Sequence, residues 1–290
     1  MSGFFLPRHA PVGPRGIVWY DGKGKASAAI ASGAEGRGAD MLWILCPAGV
    51  IAVLWAVLFI LRRRGTLRLS RLLVPRGAVR GVDVSRHQGR IDMAVLARQG
   101  VRFAMIKATE GMTYTDERFR ENRDGAGKAG IVWGAYHFFS FESPGAAQAA
   151  HYIEVVGDLT GAFPPAVDVE LYGKRKADPP DPADVRRELG AMLDALEARY
   201  GVRPILYTFD REVRSRYLGG TFGKYPAWVQ SVDLPPRFNG CAEYLIWQYS
   251  HRGVLDGYDG EEKHIDLDAL RPGISPADLV IGERRQGSCG

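Results

Sequence analysis

The sequence predicts an α/β domain, an irregular (β/α) barrel with eight strands and fewer helices, preceded by one transmembrane helix. Three observations predict it. From residue 81 onward, short runs rich in β-branched and aromatic residues alternate with helical patterns, as in a sheet wrapped by helices. Helical patterns thin out in the second half, so the barrel is only partly (β/α). Ahead of it lies a 21-residue uncharged run at 41–61, MLWILCPAGVIAVLWAVLFIL. About 20 such residues span a bilayer.

In chain order, residues 1–40 are rich in Gly, Ala, Arg and Pro and lack periodicity. They are expected to be disordered, or to lie upstream of the true start, with Met41 as the alternative initiator. The run at 41–61 carries Trp43 near one end and Arg62-Arg63-Arg64 after the other, the interfacial anchor and the stop of a membrane helix. It exceeds the apolar core of a cleaved leader. Residues 62–80 form an Arg-rich linker with seven Arg and no acid. The chain's net charge of +5 is therefore uneven: 62–80 carries +7 and 1–61 carries +2, leaving −4 on 81–290. A mildly acidic folded part gives no footprint for nucleic acid. Three cysteines, Cys46, Cys241 and Cys289, have no metal-ligand spacing. A Cys241–Cys289 pair stays open, and with it the redox compartment.

Strands are expected at 81–84, 101–108, 131–139, 166–170, 204–209, 226–230, 244–249 and 264–267. Helices are expected at 91–98, 116–129, 144–156 and 184–200. The last is the clearest. Val185, Leu189, Met192, Leu193, Leu196 and Tyr200 form a helical stripe, Asp181 is a candidate N-cap before Pro182, and Gly201 stops it. That stripe reads as core. Residues 81–270 make the domain, and 271–290 a coil tail.

The chemistry centres on Phe163-Pro164-Pro165-Ala166-Val167-Asp168-Val169-Glu170. In a strand, residues two apart share a face, which brings the two acids together about 7 Å apart along the chain. Like charges raise the pKa of one member. A protonated carboxyl beside an ionised one is what glycosidic cleavage uses. Asp83 and Asp266 also fall at or near strand ends, where a parallel barrel gathers its catalytic groups. Tyr136, Tyr207, Trp228 and Trp247 recur in similar places and suit stacking against sugar rings; core packing is the plainer reading for any one of them.

Five segments then occur in order: Gly81-Val82-Asp83-Val84-Ser85, Phe103-Ala104-Met105-Ile106-Lys107-Ala108-Thr109-Glu110-Gly111, Gly134-Ala135-Tyr136-His137-Phe138, Asp168-Val169-Glu170 and Ile246-Trp247-Gln248-Tyr249-Ser250. With Ile265-Asp266-Leu267 closing, the set resembles glycoside hydrolase family 25, the lysozyme (N-acetylmuramidase) family, over about residues 80–270. The resemblance implies hydrolysis of the β-1,4 bond between N-acetylmuramic acid and N-acetylglucosamine in peptidoglycan. It implies Glu170 as general acid/base, Asp168 as its assistant, and Asp83 and Asp266 as further acids of the cleft. Tyr136, Tyr207, Trp228 and Trp247 match substrate-binding positions. Two departures bear on substrate preference: the strand at 226–231 lacks a terminal aromatic, and Asp268 stands where the family frequently has Asn.

The expected mechanism has Glu170 protonate the leaving oxygen while Asp168, staying ionised, orients the substrate's acetamido group; inversion through Asp83 or Asp266 is the alternative. No cofactor and no metal are expected. The partners are peptidoglycan glycan strands and, through one helix, the cytoplasmic membrane. Positive-inside counting puts the Arg-rich side in the cytoplasm, whereas the substrate lies outside. Large domains translocate regardless of charge, so the expected location is a bacterial cytoplasmic membrane, single-pass, with the barrel on the outer side. Rival readings are a silent membrane-anchored peptidoglycan-binding protein, a phage-type endolysin and a chitinase-like enzyme.

Overall fold

The computed structural model describes residues 19–20, 26–27, 49–60, 69–208, 213–239 and 244–282. It divides into two units, Met1–Leu67 and Arg68–Gly290. In the first, Trp19–Tyr20 and Ala26–Ser27 pair as a short antiparallel ladder. A helix covers 49–60, with Val50, Ile51, Leu54 and Trp55 exposed. The transmembrane helix expected over 41–61 is not borne out here. Among the described residues no helix is long and apolar enough to cross a membrane. Residues 41–48 and 61 lie outside them, as do all three cysteines and most of 1–40.

The second unit is the barrel. Its strands are β1 (Arg80–Val84), β2 (Val101–Glu110), β3 (Val132–Phe138), β4 (Ala166–Asp168), β5 (Ile205–Thr208), β6 (Ala227–Gln230), β7 (Tyr244–Gly253) and β8 (Ile265–Leu270). Neighbours pair in chain order, and β1 pairs with both β2 and β8, which closes the ring. Pairings from β1 through β7 are parallel, while β8 runs antiparallel to β7 and to β1. The antiparallel β8 is where this barrel departs from an all-parallel ring. Asp266 therefore reaches the mouth from the N-terminal end of its strand, with Asp83 directly opposite it in the ladder. The two-residue strand Tyr114–Thr115 folds back on the end of β2.

The helices are α1 (Met93–Arg98), α2 (Phe119–Lys128), α3 (Gly145–Val156) and α4 (Pro182–Tyr200). α4 forms as its sequence dictates. Asp181 accepts from the Ala183 and Asp184 amides at 2.7 and 3.4 Å, Pro182 opens the first turn, and Gly201 ends it in the left-handed conformation at φ 74°. Every residue of its apolar stripe is buried.

Strand alternation sorts the core into layers. Val82, Ala104, Ile106, Val167 and Leu206 face outward to the helices, in one cluster with Leu189 and Leu196. Phe103, Met105, Ala166, Ile205, Ile246 and Leu270 fill the interior. Gly81 is required at the ring of Phe103, which a Cβ there would enter. Trp247, Tyr249 and Val229 form a third cluster with Val74 and Ala78. The segment just before β1 is thus no free tether. In the turn Leu69–Leu73, Ser70 is fully buried and its Oγ donates to the Tyr249 carbonyl at 2.7 Å. The tail expected to be coil also docks: Ile274, Leu279 and Val280 pack on the interior cluster, and the Ile281 amide donates to the Ala162 carbonyl at 2.9 Å.

Candidate active site at the barrel mouth

β1 and β4 end in acids, Asp83 one residue before the end of its strand and Asp168 at the last position; Glu170 follows two residues past β4. β8 contributes Asp266 and, two residues deeper, Asp268. β7 contributes Gln248, which lies opposite Asp268 on one side and Gln230 on the other.

The Gln248 amide joins these groups. Its Nε2 donates to Asp83 Oδ2 at 2.6 Å and to Asp266 Oδ2 at 3.2 Å. Its Oε1 accepts from the Tyr207 hydroxyl at 2.8 Å and from Gln230 Nε2 at 2.6 Å. One neutral side chain thus bridges two acids that also meet each other, and it is fixed from behind by two donors. Below it, Trp228 Nε1 donates to Asp268 Oδ1 at 3.0 Å. The Tyr207 and Trp228 rings lie 4.5 Å apart, and Tyr136 meets Trp228 edge-on at 5.9 Å. A cleft of about 300 Å³ opens beside this floor, lined by Asp83, Ser85, His87, Tyr136, His251, Glu262, His264 and Asp266 among others. Asp168 and Glu170 do not line that cleft, yet the charge of Glu170 acts on Asp83, Asp168 and Asp266 alike.

Crowded acids with little water hold protons. Burial, then Asp268, raises the Asp83 carboxyl well above its ordinary range. Burial, then Asp83, pushes Asp266 up to about 9, and burial raises Asp268 to about 7. Asp168 is 7% exposed, and burial followed by the charge of Glu170 raises it well above the usual value, against the pull of Lys107. Its Oδ1 is buried without a hydrogen-bond partner. The expectation that Asp168 stays ionised therefore meets an environment that favours its neutral form, because a three-residue buried strand removes it from water. Lys107 sits beside it, bonded to Glu110 Oε2 at 2.7 Å and 4.7 Å from the Phe138 ring centre. Among the described residues no group of three or more His, Cys, Asp or Glu side chains is arranged to hold a metal ion.

The structure brings Asp83, Asp168, Asp266, Tyr136, Tyr207 and Trp228 to one mouth, with Glu170 within electrostatic reach. The aromatic three are each at most 9% exposed, so they form the floor rather than an open platform. Trp247 is not brought there. It is 1% exposed, faces outward on β7, and donates to the Ser231 carbonyl at 2.7 Å. Its neighbour Gln248 takes the inward place. The sequence alone does not mark Gln248, Gln230 or Lys107 as site residues, and it shows Asp268 only as a departure from the family pattern. Alternation was the available signal: on a strand with apolar Ile246 facing in, Gln248 also faces in, and a buried amide demands partners.

A closed barrel with acids gathered over an aromatic floor is the site architecture of a polysaccharide hydrolase. Comparison with known proteins gives the family. Residues 82–258 match Glycosyl hydrolases family 25, and the chain belongs to that family. It is 35% identical over 187 residues to the uncharacterized protein YegX of Escherichia coli K12, covering 63% of this chain and 66% of YegX. It is 29% identical over 209 residues to the autolytic lysozyme of Clostridium acetobutylicum, covering 72% of this chain and 61% of that one. The chain thus spans just under two thirds of the length of these relatives. Among solved structures, a family 25 glycosyl hydrolase from Bacillus anthracis superposes with TM-score 0.63 at 41% identity, covering 68% of this chain and 90% of that one. The bacterial lysozyme of Streptomyces coelicolor gives TM-score 0.62 at 30% identity, with 71% and 96% covered.

Proposed function

We propose that the barrel is a muramidase that cleaves the β-1,4 bond between N-acetylmuramic acid and N-acetylglucosamine in peptidoglycan. The observation that carries this is the meeting of Asp83, Asp168 and Asp266, under the charge of Glu170, at one end of a barrel of this family. In this reading Glu170 protonates the leaving oxygen and then activates water. Its place just past a strand end lets it reach substrate while the deeper acids stay fixed. Asp168 assists: its buried, unpartnered Oδ1 is a ready acceptor for the N–H of the substrate's acetamido group, whose carbonyl oxygen then attacks the anomeric carbon. The positive charge that develops there, with Lys107 beside it, favours the ionised form of Asp168 as the acceptor. Gln248 donates to both Asp83 and Asp266 and keeps the pair aimed at the cleft.

Glu170→Gln tests the proposal. The variant should lose at least about a thousandfold in rate with an unchanged melting temperature, and normal turnover would refute the role of Glu170. Retained glycan binding without cleavage by the wild type would instead favour the silent wall-binding reading. We also propose a single-pass anchor with the barrel outside the cytoplasmic membrane. The uncharged run at 41–61 and the location of the substrate support it. Protease added to intact spheroplasts should then digest the barrel; full protection would place it inside.

A further inference from the structure

Asp268 is fully buried beneath the acids of the mouth. Oδ1 accepts from Trp228 Nε1 at 3.0 Å, while Oδ2 is sealed from solvent and meets no N–H or O–H donor. The β8–β1 ladder sets Asp268 against Gly81 and Asp266 against Asp83, so the Asp83 carboxyl, on the same inward face, is the diagonal neighbour of Asp268 and the two carboxyls act on one another. Two carboxyls in such contact need a proton between them. We propose that Asp268 is a positioning residue that shares one proton with Asp83, and so pins the Asp83 carboxyl against Gln248 and holds the acid array in register.

The chain of contacts is continuous. Asp268 meets Asp83, Asp83 accepts from Gln248, and Gln248 reaches Asp266 while Tyr207 and Gln230 hold it from behind. The charged and titratable groups around Asp268 are Asp83 from β1, Asp266 on its own strand and Tyr249 from β7. Arg80 and Arg71 act on Tyr249, and Glu170 acts on Asp83. Among the described residues the charges that act most on Asp268 are acidic, so a proton is the compensating charge. The carboxyl's ordinary value is raised to about 7 by burial, which keeps that proton in place up to neutrality.

The sign of the pH effect follows. A carboxyl that keeps its proton in the folded state and loses it when unfolded makes stability fall as pH rises from about 4 to about 7. Asp268→Asn supplies a permanent N–H for Asp83 and keeps an oxygen for Trp228, whereas Asp268→Ala supplies neither. Full-length wild type, Asp268→Asn and Asp268→Ala should be melted from pH 4 to pH 8 and assayed on peptidoglycan. Asp268→Asn should lose at least about 3 °C less than the wild type over that range, and should be at least about tenfold more active than Asp268→Ala at pH 8. Parallel melting curves for wild type and Asp268→Asn, or an Asn variant no better than Ala, would overturn the proposal. The activity arm rests on the muramidase reading and the melting arm does not. If no form cleaves peptidoglycan, the melting curves still decide whether the proton is shared.

Discussion

At the scale of single residues, the buried polar groups separate those that hold the barrel from those that serve the cleft. His137 is fully buried between Thr109 Oγ1 at 2.8 Å and Gln148 Oε1 at 3.0 Å. Gln148 Oε1 also accepts from the Ser140 amide, and its Nε2 donates to the Ser140 and Ser143 carbonyls. That orientation makes His137 Nε2 the donor and Nδ1 the acceptor. Burial lowers the imidazole to about 4. The folded state then binds fewer protons than the unfolded one between pH 6.5 and 4, so this contribution is full above pH 6.5 and is lost as pH falls through 4. It is at most about 3 kcal/mol. His137→Asn should flatten the fall in melting temperature between pH 6.5 and 4, and an equal slope in wild type and variant would contradict it. Gln248→Leu should cost about 10- to 100-fold in kcat/KM through the loss of its bonds to Asp83 and Asp266; an unchanged rate would remove Gln248 from the site. The acids were legible in the sequence because a strand end followed by a carboxylate is a local pattern. Gln248 and Asp268 were not, because what they do is set by neighbours across the barrel.

At the scale of elements, legibility followed local chemistry. α4 was readable from its cap, its apolar stripe and its terminal glycine. All eight strands were readable from composition, but the direction of β8 was not, since a period of two is the same read either way. The packing of α3 on α4 hides a close approach that the sequence does not announce. The Gly145 amide donates to Glu188 Oε2 at 2.8 Å, and a Cβ at Gly145 would run into the Glu188 backbone carbonyl. Gly145→Ala must therefore push the two helices apart, at about 1–3 kcal/mol. Thermal melting should show the loss, and a variant as stable as the wild type would refute the close packing. Asp181→Ala, by contrast, removes only the N-cap of α4 and should cost about 1 kcal/mol.

At the scale of the whole molecule, the barrel is a packed interior closed at one end and chemically armed at the other. Residues 271–282 seal the end away from the acids, which a reading of 271–290 as coil does not anticipate, because Ile274, Leu279 and Val280 are too dispersed to show periodicity. Truncation after Leu270 should expose the interior cluster around Phe103 and lower the melting temperature; an unchanged melt would show the tail to be dispensable. The armed end is what gives the fold its proposed chemistry, and its central claim is that Glu170 works there on peptidoglycan. The direct measurement is mass spectrometry of the products when full-length wild type and Glu170→Gln are each incubated with purified peptidoglycan. The account predicts fragments ending in reducing N-acetylmuramic acid from the wild type and none from the variant. Fragments from both, or reducing N-acetylglucosamine ends from the wild type, would contradict it.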